Sequence, residues 1–178
     1  MNIELADYGL VIEFGTREDF DTKLRMNNET FDDVVNYTDI HGISLLSRCL
    51  GSRKFDLAKE FLDRGATVNR ISKEGYSELH ILAANINLPG GVEVARMLLE
   101  RGASLMAKDK KYGNSALFTL CYEVFKVRSD ESLKFLEDCF RQVQPSDFDI
   151  CNKRGYSIRQ VINERGTEEL KRIMEERS

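Results

Sequence analysis

A short phrase anchored on glycine occurs three times in the chain: Gly42-Ile43-Ser44-Leu45-Leu46-Ser47, Gly75-Tyr76-Ser77-Glu78-Leu79-His80 and Gly113-Asn114-Ser115-Ala116-Leu117-Phe118. The first two glycines lie 33 residues apart. A second phrase follows in two of the units, Asp63-Arg64-Gly65-Ala66-Thr67-Val68-Asn69 and Glu100-Arg101-Gly102-Ala103-Ser104-Leu105-Met106. Self-similarity at a period of this size belongs to repeat arrays, in which no unit can bury its apolar face alone and each buries it against its neighbours.

The phrase around Ser77, Leu79, His80 and Ala83 resembles the opening of the ankyrin repeat, a hairpin-like turn followed by two antiparallel helices. Leu45, Glu78 and Ala116 replace the proline of that motif, and serine stands where threonine is usual. The resemblance implies an all-α fold, a solenoid of stacked helix-turn-helix units in a single domain over 1–178. Its expected parts are an N-terminal capping repeat (1–38), repeats over 39–71, 72–108 and 109–151, and a C-terminal capping repeat (152–178). His80 falls where such repeats carry a histidine that bonds backbone groups of neighbouring turns, so the resemblance gives it a structural role.

Later units are longer, with 38 residues from Gly75 to Gly113 and 42 from Gly113 to Gly155. The segment Asn85-Ile86-Asn87-Leu88-Pro89-Gly90-Gly91 carries the turn residues that end one helix and start another. Residues 125–132 contain neither glycine nor proline, which predicts a longer inner helix. Apolar stripes over 5–14 and 17–26, broken by Gly15, predict a helix pair in the first cap, with 31–36 standing where other copies read Gly-Ala-x-Val-Asn. Gly65 and Gly102 are expected to end the outer helices in the left-handed conformation. In the third unit Val143-Gln144-Pro145 replaces that closure, and Pro145 is expected to end the helix.

Of the 178 residues, 42% are hydrophobic and 31% charged, the composition of a folded, soluble chain. Apolar runs fall far short of the ~20 residues that span a bilayer, and Met1-Asn2-Ile3-Glu4 lacks the basic start of a secretion signal. The expected location is the cytoplasm. Cys49, Cys121, Cys139 and Cys151 show no metal or redox spacing, so they are expected to be reduced core residues. The net charge of −4 is uneven: residues 1–39 carry −7 and the remainder +3. Such asymmetry bears on partners and association rates.

No nucleophile elbow, phosphate-cradling loop or metalloprotease helix occurs, and neither His41 nor His80 has a spacing that specifies an acid–base pair or a metal site. The expectation is a chain without catalysis, cofactor or metal that acts by binding another protein. By the resemblance, its contact positions are Ile40, His41 and Ile43, then Lys73, Glu74 and Tyr76, then Lys110, Lys111, Tyr112 and Asn114. Gly51, Ser52, Ala84, Asn85, Tyr122 and Glu123 join them at inner-helix ends. Tyr76, Tyr112 and Tyr122 are the expected anchors, since tyrosine supplies large contact area with few rotors. The acidic set Asp19, Asp21, Asp32 and Asp33 is expected to steer a basic partner.

The resemblance extends to small bacterial ankyrin-type immunity proteins, which implies a monomer that neutralises a toxin such as a nuclease. The alternative is a small regulator of a kinase or a transcription factor. Nucleic-acid binding through the basic residues ahead of each repeat glycine is the weaker reading, because the total charge is negative.

Overall fold

The computed structural model describes residues 2–39 and 42–176. In chain order its helices are α1 (Tyr8–Phe14), α2 (Arg17–Asn27), α3 (Phe31–Val34), α4 (Leu45–Gly51), α5 (Phe55–Asp63), α6 (Glu78–Ala83), α7 (Gly91–Glu100), α8 (Ala116–Val127), α9 (Asp130–Phe140), α10 (Ile158–Arg165) and α11 (Glu168–Glu176), with a 3-10 turn at Pro145–Asp149. Among the described residues, strand geometry is confined to the isolated bridges Thr38–Ser44 and Lys108–Ser115. An inner row α1, α4, α6, α8, α10 stacks in that order, and behind it α5, α7, α9 and α11 stack likewise. The molecule is therefore an all-α solenoid of helix pairs.

Each inner helix starts where its sequence supplies a cap. The hydroxyls of Ser44, Ser115 and Ser157 accept the N–H of Ser47, Phe118 and Gln160, satisfying donors that the first helical turn leaves open. The serine of the repeated phrase is thus an N-cap. The outer helices end as the glycines require: Gly65 and Gly102 have φ of 82° and 85°. The N–H of Ala66 then reaches back to the Phe61 carbonyl, and that of Ala103 to the Leu98 carbonyl, both at 2.9 Å.

At the N-terminal end, α3 turns Phe31 inward against Phe61, with ring centroids 4.5 Å apart, and Phe20 lies 6.0 Å from Phe61. Arg64 covers the outer side of Phe31 at 4.6 Å. The segment expected to replace a Gly-Ala-x-Val-Asn closure does so at its asparagine. Asn36 Oδ1 accepts the Thr67 N–H at 2.8 Å, just as Asn69 Oδ1 accepts the Ser104 N–H at 2.7 Å one unit later. The next position in this series is Met106, which cannot continue it. Beside it a crevice of about 240 Å³ separates residues 103–106 from 142–147.

Three details differ from the sequence reading or sharpen it. The first helix begins at Tyr8, capped by Asp7, and Leu5 stays outside it at 83% exposure. Pro145 does not end α9, which stops at Phe140; it opens the 3-10 turn instead, where its missing N–H costs nothing. The longer third unit reflects a longer inner helix, 12 residues in α8 against 7 in α4 and 6 in α6.

Candidate protein-binding face

The face opposite the outer helices is built from the hairpin tips ahead of the inner helices and from the exposed sides of those helices. One side chain organises each tip. Asp39 Oδ1 accepts from Ile43 N–H, Ser72 Oγ from Tyr76 N–H, Asp109 from Tyr112 and Asn114 N–H, and Asn152 Oδ1 from Arg154 and Tyr156 N–H. A positive φ at Gly42, Gly75, Gly113 and Gly155 lets the chain return.

Adjacent tips are joined by backbone. Lys110 N–H donates to the Glu74 carbonyl at 3.1 Å, and Lys153 N–H to the Tyr112 carbonyl at 2.9 Å. Gly75 sits so close to the next tip that a Cβ there would lie 2.4 Å from the Lys110 nitrogen. The second, third and fourth tips therefore form a fixed row.

His80 ties the second unit to the third. The Ser77 N–H donates to its Nδ1 at 3.2 Å, so Nδ1 is an acceptor and Nε2 carries the hydrogen that it donates to the Asn114 carbonyl at 3.1 Å. Burial holds its pKa below the ordinary histidine value, against the pull of that carbonyl and of Asp109. The ring is a neutral bridge between repeats.

Glu78, in the place of the motif proline, is fully buried. Its carboxylate accepts the N–H of Asn69 at 2.9 Å and of Arg70 at 3.1 Å, clamping the loop that leads into the tip. Burial raises its pKa even so. The sequence marks this residue as a replacement of the motif proline but not as a buried clamp. The available signal was a charge at a position where the sister units have Leu45 and Ala116.

The expected contact residues divide into distinct environments. Tyr112 and Tyr122 are exposed at 37% and 48%, and each carries two cations on its ring. Lys111 and Arg154 lie 4.9 and 5.5 Å from the Tyr112 centroid, while Lys126 and Arg165 lie 5.1 and 5.9 Å from that of Tyr122. Tyr76 is half-buried, edge-on to His80 at 6.0 Å. Ile43 and Tyr76, with Ile81, Gly51 and Ser52, line an open groove of about 360 Å³ between the first two units. Arg48 borders it, paired with Glu13 at 3.0 Å and with Asp39.

Lys73, Glu74, Lys110 and Lys111 are exposed on the tips and Ala84 at its helix end. Asn85 is not available for contact: at 5% exposure its amide donates to the Leu50 and Gly51 carbonyls and accepts from Arg53. Asn114 is likewise engaged between units, through its carbonyl to His80 and through its Oδ1 to Asn152 at 2.8 Å. Glu123 pairs with Lys126 at 2.7 Å, and its carbonyl accepts from Asn87. Ile40 and His41 lie outside the described residues.

The acidic set sits elsewhere, on α2 and α3 beside the outer row. Asp19 and Asp33 close capping boxes with Thr16 and Thr30. The Thr16 N–H holds the first carboxyl below its usual range, and the Thr30 hydroxyl does so for the second. Asp21 pairs with Arg17 at 2.9 Å and Asp32 with Arg64 at 3.0 Å. All four carboxylates thus have internal partners, and none belongs to the tip row.

Burial pushes the thiols of Cys49 and Cys121 far up and that of Cys139 up to about 12, while Cys151 is exposed; all four stand free. Among the described residues no group of three His, Cys, Asp or Glu is arranged to hold a metal ion, and no helix is long and apolar enough to cross a membrane. The ankyrin-repeat family matches residues 74–110, the span from the second tip to the start of the third. A search of the curated proteins gives no match.

Proposed function

We propose, from the premise that this chain is an ankyrin-repeat solenoid, that it is a non-catalytic module whose concave face of tips and inner helices binds another protein. The observation that carries the reading is the fixed tip row, with Tyr112 and Tyr122 exposed beside it. A rigid row presents these side chains without an ordering cost at the moment of binding. The exposed charges of that row are mainly cations, Lys73, Lys110, Lys111, Lys153 and Arg154 beside the one carboxylate of Glu74, and this favours an acidic partner surface over the basic one that steering by Asp19, Asp21, Asp32 and Asp33 would serve.

The most concrete form of this activity is sequestration. In the immunity-protein form that the resemblance implies, a monomer in the cytoplasm covers and neutralises a cognate toxin. The four free thiols fit a reducing compartment.

The test uses the chain as bait in extracts of its native host, followed by kinetics on whatever protein it holds. Tyr76→Ala with Tyr112→Ala is expected to speed dissociation at least about tenfold, with association little changed. Hydrolase, nuclease and transferase assays on the purified chain are expected to stay at background. A partner held equally well by the double variant would move the contact off this face.

A further inference from the structure

Two consecutive tips of the C-terminal half carry cations side by side: Lys110 and Lys111 on one, Lys153 and Arg154 on the next. All four are exposed, and no carboxylate of the described residues forms an ion pair with any of them. The Lys110 ammonium donates to the Lys73 carbonyl at 3.0 Å and that of Lys153 to the Lys110 carbonyl, contacts that orient the charges without neutralising them. Asp109, on the same tip as Lys110 and Lys111, is 4% exposed and spends both oxygens on backbone N–H groups of that tip, and the exposed Glu74 on the preceding tip still leaves the cations in excess. A local excess of positive charge therefore lies along one edge of a protein whose total is −4.

We propose that this edge seats an extended acidic segment of the partner, with carboxylates about three residues apart. The proposal rests on the protein-binding reading above and specifies its chemistry. Tips advance at the spacing of the packed inner helices, about 8–10 Å. An extended chain of the polyproline-II type turns once every three residues and rises about 3.1 Å per residue, so every third side chain lies on one face and meets the next tip. The backbone bonds between tips hold that stride constant, which is what a regularly spaced ligand requires. Nucleic acid fits less well, because Lys111 and Arg154 already cover the Tyr112 ring that would otherwise stack on a base.

The probe is a fluorescein-labelled 12-residue peptide with glutamate at every third position and alanine and serine between, followed by anisotropy. Comparison probes are the same peptide with lysine for glutamate, one with its glutamates clustered at one end, and a labelled oligouridylate. The spaced-glutamate peptide is expected to bind at least tenfold more tightly than each of the others, more weakly as salt rises. Lys111→Glu with Arg154→Glu is expected to abolish that binding. Lys134→Glu with Lys171→Glu makes the same charge change on the outer helices and is expected to leave it intact, with melting curves confirming that both variants fold.

Equal binding of the lysine or clustered peptide, tighter binding of the RNA, no measurable binding of the spaced peptide, or equal loss in both double variants would overturn the proposal. A native partner that needs Tyr76 and Tyr112 but ignores the Lys111→Glu and Arg154→Glu changes would leave the concave-face reading standing and remove only the acidic segment. A partner indifferent to both sets would remove both.

Discussion

Gly75→Ala is expected to destabilise the protein by ~3 kcal/mol or more. Gly102→Ala, at almost the same backbone angle, is expected to cost only about 1 kcal/mol. The two glycines have φ of 89° and 85°, so the left-handed strain is common to both. They differ in what a methyl group would meet. At Gly102 nothing lies within 4 Å, whereas at Gly75 the Lys110 nitrogen lies 2.4 Å away and its side chain 2.7 Å. That nitrogen belongs to the bond joining two tips, so relieving the clash means parting the tips. Urea unfolding midpoints of the two variants, read with their slopes, measure the difference. Equal losses would mean that the tips are not in contact.

A second large effect is expected at Glu78. Glu78→Leu installs the residue that the first unit has at this place, yet it leaves the Asn69 and Arg70 N–H groups without their acceptor, at a cost of about 2–4 kcal/mol. The substitution also changes the pH dependence. Burial raises the Glu78 pKa above its unfolded value, so the folded state holds that proton more tightly. The stability it contributes is complete below the unfolded value and is lost as pH rises through the folded one.

His80 acts with the opposite sign. Burial lowers its pKa, so its contribution is present above the unfolded value and is lost as pH falls through the folded one. Urea midpoints between about pH 4 and about pH 7 should therefore show the Glu78 decline in the wild type and not in Glu78→Leu, while the acid loss due to His80 persists in both. An unchanged profile in Glu78→Leu would assign the slope to other groups.

The parts of this fold that were legible in the sequence are those enforced by backbone chemistry. Gly65 and Gly102 could be read as helix closures because a positive φ nearly demands glycine, and His80 because its motif position implied its backbone partners. The apolar stripes over 5–14 and 17–26 likewise marked the helix pair α1 and α2. What stayed hidden depends on groups far apart in the chain. Asn85 reads as an exposed turn residue until the Leu50 and Gly51 carbonyls are seen to take its amide.

Glu78 looks like surface charge until the preceding loop folds over it. The acids of 1–39 read in the sequence as a charge patch alone, whereas four of them also cap or pair locally, with Thr16, Thr30, Arg17 and Arg64. Pro145 was read correctly as a boundary but on the wrong side of it, since proline suits the first position of a new turn as well as the end of an old helix.

The asparagine series that runs from Asn36 to Asn69 and stops at Met106 gives the stack a mechanical grain. Up to the second unit, successive closures are riveted by a side chain bonded to the next backbone; past it, the crevice takes the place of the rivet. In a linear array each interface holds only its neighbours, so the weakest seam decides where the array parts. Pulled from its ends, this molecule should open first on the closure side of the seam between its second and third units, while the His80 bridge and the Lys110–Glu74 bond still hold the tip side.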